Sequence, residues 1–425
     1  MRCLHFIIAF LAVSSVATEA YWVGANLPWN NFGSDVGTGN FDHGWFDSAL
    51  SKLKASGTNA VRFWLHADGR ATPIFGADGM VTGAGGSSIA SDLDSLVALT
   101  QKHGIVLQMC LWSFDMCKQD IPGATMHSDL MSDLAKTKSY IDLALSPMLA
   151  ALRNATRTRG QNNVVIEVQN EPEWCMAGSC STVECVSVAD MQRFTAMVAE
   201  AVHSHDPGFA VTTGSASLKW STSLPGGGQA NYWTDAALRA AYPAGGPDAV
   251  LDFYNVHYYD WMFDPSWGYD PCREPLSYWG VDKPTVVAEL PASSQHYSPS
   301  EMLRCAQANG FSGDLFWAYN DPGFPLDQAL PALSNFTRAQ PALTSYANLL
   351  LWLQERTERR RTTSFDSQSR DEVAHRGQAA DRMRNAARPK KSAPELVHHA
   401  TAAPAVAGRY DKHFSQRSFL ATLGH

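Results

Sequence analysis

The chain has 425 residues, 45% of them hydrophobic, 11% aromatic with 13 Trp, and a formal net charge of −8. That is enough apolar material for one large core. An acidic balance argues against nucleic acid as the ligand, and no stretch reaches the length of a membrane span.

Residues 1–20 read as a signal peptide. Arg2 supplies the positive charge, Phe6 to Val13 a short apolar run, and Ser15 to Ala20 the small residues of a cleavage site. The chain is therefore expected to be secreted. Export bears on the cysteines. Removing Cys3 leaves seven: Cys110, Cys117, Cys175, Cys180, Cys185, Cys272 and Cys305. In an oxidising compartment most should pair, with one left over. Spacing does not give the connectivity, and Cys272–Cys305 is the one pairing put forward. The trio at 175, 180 and 185 could suggest zinc, but no histidine lies near it, which favours disulfides. Two glycosylation sequons begin at Asn154 and Asn335.

From residue 21 to 355 short β-branched or aromatic runs alternate with helical stretches. Eight strands are predicted: Tyr21–Gly24, Ala60–Leu65, Ile105–Leu111, Val164–Gln169, Ala210–Thr213, Phe253–His257, Thr285–Leu290 and Asp314–Ala318. Helices are predicted over Trp45–Lys54, Ile89–Lys102, Asp129–Leu152, Val188–His203 and Ser300–Asn309. The strands are almost continuously apolar, as when both faces are covered. Eight strand–helix units over this length fit an α/β fold of the (β/α)8 TIM barrel type. A doubly wound sheet is the alternative, but Gly24-Ala25-Asn26-Leu27-Pro28 is not its Gly-rich phosphate turn. Residues 356–425 carry 14 Lys and Arg against 7 Asp and Glu, leaving the rest of the chain at −15. This segment is expected to be a basic, disordered tail.

In such a barrel, chemistry sits where the strands end at their C-terminal side. Strand four ends Gln169-Asn170-Glu171-Pro172 and strand seven ends Ala288-Glu289-Leu290-Pro291. Two carboxylates facing one cleft are what glycosidic cleavage needs: one protonates the leaving oxygen, and the other attacks the anomeric carbon or activates water. Either glutamate alone could cap a loop or pair with arginine, so the pair is the signal. Glu167 lies deeper on strand four and reads as a structural acid. His66 and Asp68 do not amount to a metal site.

These stretches resemble glycoside hydrolase family 5, a clan A barrel family. Asn170-Glu171-Pro172 resembles its acid/base signature and Glu289 its nucleophile. Arg62 on strand two, His257-Tyr258-Tyr259 on strand six and Trp317 on strand eight match further elements. The match runs in order from residue 21 to about 350. Within the family the chain is most similar to the animal-type endo-β-1,4-mannanases, through Trp29-Asn30-Asn31-Phe32-Gly33, Val61 to Gly69, Leu111-Trp112 and Tyr259-Asp260-Trp261.

The resemblance implies a retaining endo-β-1,4-mannanase with Glu171 as acid/base and Glu289 as nucleophile. It implies substrate contacts from Arg62, Asn170, His257, Tyr259, Trp317, Trp112, Trp29, Trp261 and His66. Neither metal nor cofactor is expected, the partner is a polysaccharide, and a monomer is expected. The readings left open are an endo-β-1,4-glucanase of the same mechanism, a catalytically dead carbohydrate-binding barrel, and a metal-dependent barrel hydrolase. Sugars that differ only in the orientation of O2 are separated by a few kcal/mol at most, so physics alone does not choose between mannan and glucan.

Overall fold

In the computed structural model, residues 20–118, 124–180, 185–224, 231–265 and 267–362 are described. Eight parallel strands close into a barrel: β1 (Trp22–Asn26), β2 (Ala60–Ala67), β3 (Val106–Ser113), β4 (Val164–Asn170), β5 (Ala210–Ser215), β6 (Tyr254–His257), β7 (Thr285–Pro291) and β8 (Gly313–Trp317). Each strand pairs with its neighbour in sequence, and β1 closes the ring against β8. Every residue of all eight strands is buried. That double-sided burial is why their sequences run apolar instead of alternating.

The helices form the outer layer. His43–Ala55, Ile89–Lys102 and Val188–His205 follow the predicted spans to within two residues at each end. The long helix predicted over Asp129–Leu152 is a composite. Ala124–Ser132 ends first, Leu134–Tyr140 restarts on an Asp133 cap, and a π turn at Ile141–Leu145 leads into Ser146–Arg159. Asp133 accepts from Ala135 and Lys136 N–H, which ends one helix and starts another where hydrophobic spacing alone shows no break. A two-stranded hairpin, Ile74–Phe75 with Val81–Gly83, lies beyond β2.

The domain boundary placed at residue 355 is moved. A helix spans 346–362, and its Leu349, Trp352 and Leu353 pack with Trp22, Val106, Val165 and Phe253 at the N-terminal end of the strands. Trp352 meets Trp22 and Phe253 ring to edge at 6.0 and 5.4 Å. Arg360, assigned by charge to the tail, is buried and pairs with Asp252 at 2.9 Å. The signal sequence up to residue 19 and the tail from 363 onward lie outside the described residues.

Two disulfides are formed, Cys180–Cys185 and the expected Cys272–Cys305. The expectation of a single left-over cysteine is corrected: Cys110, Cys117 and Cys175 are all buried and take part in neither bridge. Cys110 faces the barrel interior instead, within 3.8 Å of Arg62 and 3.4 Å of Glu167.

Candidate active site

Arg62 organises the mouth of the barrel. It points inward from β2, fully buried, and one face of its guanidinium is held by Glu167 through two contacts of 2.6 Å. Fork-to-fork pairing fixes the plane of the guanidinium. The opposite face then presents Nη1 to Glu289 at 2.6 Å and to Asn26 at 3.0 Å, while Nη2 donates to Asn170 Oδ1 at 2.8 Å. Gln108 and Asn255 add donors to Glu167 at 2.6 and 3.3 Å. Gly214 has to lack a side chain here, because a Cβ would stand 2.3 Å from Glu167 Oε1.

Glu289, near the end of β7, takes a second donor, the Tyr259 hydroxyl, at 2.6 Å. Burial pushes its carboxyl up, while His257, Arg62 and the Tyr259 hydrogen bond pull it down, leaving it above its ordinary value. Burial thus outweighs the three groups that favour the charged form.

Glu171 follows β4 with φ at 47°, in the left-handed region. That conformation costs a non-glycine residue about 1–2 kcal/mol and turns the side chain sharply off the strand. Its N–H is held by Gly214 O at 2.6 Å. Its carboxyl meets the Trp174 indole N–H at 2.8 Å and His257 Nδ1 at 2.9 Å. Burial pushes this carboxyl up to about 7, partly opposed by Trp174 and Arg62. Desolvation is the largest of these effects. Burial likewise lowers His257 to about 4, so the ring between the two acids is neutral.

One atom each from Glu171, His257 and Glu289 lie within 4.8 Å of one another. The nearest oxygens of the two carboxyl groups thus face one small space beside the His257 ring. The three could also reach a common cation, but His257 would have to give up the Nδ1 contact it makes with Glu171.

Two aromatic groups flank the acids. Trp29, Trp64 and Trp317 pack with ring centroids 5.2–5.9 Å apart. Trp317 Nε1 is fixed on Asp321 at 2.8 Å. On the other side Trp174, Trp261 and Trp267 form a second group, with Trp220 beneath.

The structure brings Glu171, Glu289, Arg62, Asn170, His257 and Tyr259 into one network, with Trp317, Trp29 and Trp261 around it. It does not bring Trp112 and His66 to the cleft. Both are fully buried and stack on each other at 4.8 Å, closed in by Tyr140 and His127. His66 Nδ1 is bound to Thr72 at 2.9 Å, and burial lowers the ring to about 3. Neither residue offers a sugar any surface.

Sequence reasoning missed Trp64 and Trp174. Trp174 stands three residues after Glu171, the separation of one 3₁₀ turn, and that spacing could have revealed it. It also missed Glu173, which accepts from Ser215, Ala216 N–H and Trp233 at 2.7, 2.9 and 3.0 Å and so anchors the turn carrying Glu171.

No family model matches the chain. A mannan endo-1,4-β-mannosidase of Mytilus edulis is 32% identical over 327 residues, 70% of this chain and 83% of that protein. The X-ray structure of β-mannanase from the blue mussel Mytilus edulis superposes with a TM-score of 0.65 at 28% identity, covering 76% of this chain and 93% of its own. The β-1,4-mannanase of the common sea hare Aplysia kurodai gives 0.64 at 26% identity, covering 75% and 92%.

Proposed function

Since the chain belongs to the family of the animal mannan endo-1,4-β-mannosidases, we propose that it cuts internal β-1,4-mannosidic bonds with retention of configuration, using Glu289 as nucleophile and Glu171 as acid/base. The supporting observation is the pair of buried carboxyl groups with oxygens within 4.8 Å, one on a guanidinium and one with its proton held by burial.

In the first step Glu289 attacks C1 of the mannosyl unit and forms a C–O bond to it. The glycosidic oxygen leaves with the proton of Glu171. Two carboxyl groups this close fit that double displacement. Arg62 and the Tyr259 hydroxyl orient the attacking carboxylate, leaving one face free. In the second step Glu171, now ionised, takes a proton from water, and the resulting oxygen nucleophile displaces Glu289 from C1. Two inversions give retention. Neutral His257 suits both halves of the cycle, because Nδ1 accepts from protonated Glu171 in one tautomer and donates to its carboxylate in the other. Asn170 has its carbonyl oxygen bound to Arg62, which turns its NH₂ away from the guanidinium; one N–H reaches the Ser113 hydroxyl at 3.4 Å, and the other is left to donate to a sugar hydroxyl. Trp317 supplies the floor under the reacting ring.

Export as a secreted monomer belongs to the same reading. Two disulfides support an oxidising compartment, and one chain supplies every group named above. No helix among the described residues is long and apolar enough to cross a membrane.

Reducing-sugar release from purified β-mannan, measured beside carboxymethyl-cellulose with Glu289→Gln as control, tests the substrate. NMR of the first-formed anomer tests the stereochemistry. Release from cellulose alone, or an inverted product, would overturn the respective part of the reading.

A further inference from the structure

The two aromatic groups come from opposite sides of the barrel mouth. Trp29 follows β1, Trp64 lies on β2 and Trp317 ends β8. The second group is carried by the short turns after three consecutive strands: Trp174 on Pro172–Cys175 after β4, Lys219 and Trp220 on Leu218–Trp220 after β5, and Trp261 on Asp260–Phe263 after β6, with Trp267 beside it. Trp174 is bound to the carboxyl of Glu171, so this second side begins at the proton donor.

Lys219 is the feature that the catalytic reading leaves unused. Its Nζ lies 4.2 Å from the ring centroid of Trp267 and 5.3 Å from that of Trp220. Among the described residues its ammonium makes no ion pair and no hydrogen bond, and burial, the one cause acting on it, lowers its pKa. A half-buried ammonium resting only on rings keeps N–H donors unspent. Trp174, Trp261 and Trp267 are half-buried, so each still presents ring surface. Flat apolar surface beside a charged donor suits a pyranose, whose C–H face stacks on indole while its hydroxyls accept from the amine.

We propose that Trp174, Trp261, Trp267 and Lys219 form the binding site for the leaving-group side of the polysaccharide, with Lys219 donating to hydroxyls of a sugar beyond the cleaved bond. This rests on the assignment of Glu171 as acid. The oxygen protonated by Glu171 belongs to the departing chain, so that chain runs onto the side where Trp174 lies. The reacting sugar and the units before it lie over Trp317, Trp64 and Trp29.

The test compares Lys219→Met and Trp267→Ala with the unaltered enzyme on mannohexaose and on 4-nitrophenyl β-mannobioside. The second substrate has no sugar on the leaving side. Lys219→Met should lower kcat/KM on mannohexaose about tenfold, the worth of one charge-assisted hydrogen bond. The loss should be at least five times smaller on the aryl substrate. Trp267→Ala should follow the same pattern; because it removes packing, thermal unfolding is recorded alongside, and Lys219→Met decides if it is unfolded. Equal losses on both substrates, or none on mannohexaose, would overturn the proposal. An unaltered enzyme inert on both would overturn the mannanase reading on which the site rests.

Discussion

Two buried arginines mark the two ends of the barrel. At the closed end Arg360 donates to both oxygens of Asp252 at 2.9 and 3.0 Å and to Pro207 O at 2.8 Å. Asp252 also accepts from Val211 N–H at 2.7 Å, with His203 Nε2 at 2.9 Å. Burial pushes Asp252 up, and His203, Arg360 and that N–H more than reverse it, so it lies below its usual value. At the open end Arg62 is shared between two carboxylates, and Glu171 is left with an indole N–H and a neutral imidazole. There burial wins and the proton stays. The same ingredients give a structural clasp where every charge is compensated, and a carboxyl that keeps its proton where one is not.

The sharpest test of the difference is to remove the groups at the open end. Glu289→Gln should lose more than about 10⁴-fold in kcat on mannan, as expected when a nucleophile is deleted, with unfolding temperature unchanged or raised. Glu171→Gln should lose about 10²- to 10⁴-fold, with the smaller loss on aryl mannosides, whose leaving group needs less protonation.

The closed end should respond in the opposite way. Arg360→Ala leaves Asp252 buried without its cation, at a cost of about 3–5 kcal/mol of stability. Turnover per folded molecule at 25 °C should be unaffected. Denaturant unfolding beside active-site titration separates the two. Cutting the chain at 355 should be at least as damaging, since it also removes the last turns of the helix over 346–362.

Proton linkage should show both ends at once. Burial raises Glu171 and Glu173 to about 7 and Asp314 to about 8. A carboxyl whose folded-state pKa is raised contributes stability that is complete below its unfolded value and lost as pH rises through its folded value. Unfolding temperature should therefore fall from pH 5 to pH 8, each group accounting for about 2–4 kcal/mol. Glu171→Gln should flatten part of that fall. A profile that rises over this range would refute the assigned protonation states. Activity should have its basic limb near 7, where Glu171 loses its proton. The smallest expected effect is from Trp174→Phe. Its N–H favours the ionised carboxyl, so removal should move the basic limb of kcat/KM upward by about one unit or less.

Much of this was legible in the chain. All eight strands were placed to within about two residues, because double-sided burial in a parallel barrel demands continuous apolar runs of fixed length. Glu171 and Glu289 were legible because barrel chemistry sits at strand ends, and Arg62, His257 and Tyr259 came with the family pattern. The aromatic side chains were read less well. Trp112 and Trp29 look alike in sequence, yet Trp112 is sealed under Tyr140 and His127 while Trp29 keeps an accessible edge. The neighbours that close over Trp112 lie on distant segments.

The sequence by itself determined the barrel, the strand order and the placing of Glu171 and Glu289 at strand ends, since all of these follow from local periodicity and residue type. Only the tertiary structure decided what keeps the proton on Glu171, where the aromatic shelves lie, and that a basic segment past residue 355 closes the barrel with a buried arginine. Those outcomes depend on desolvation and on partners from far along the chain, such as Arg360 on Asp252, 108 residues apart, and Arg62 on Glu289, 227 residues apart.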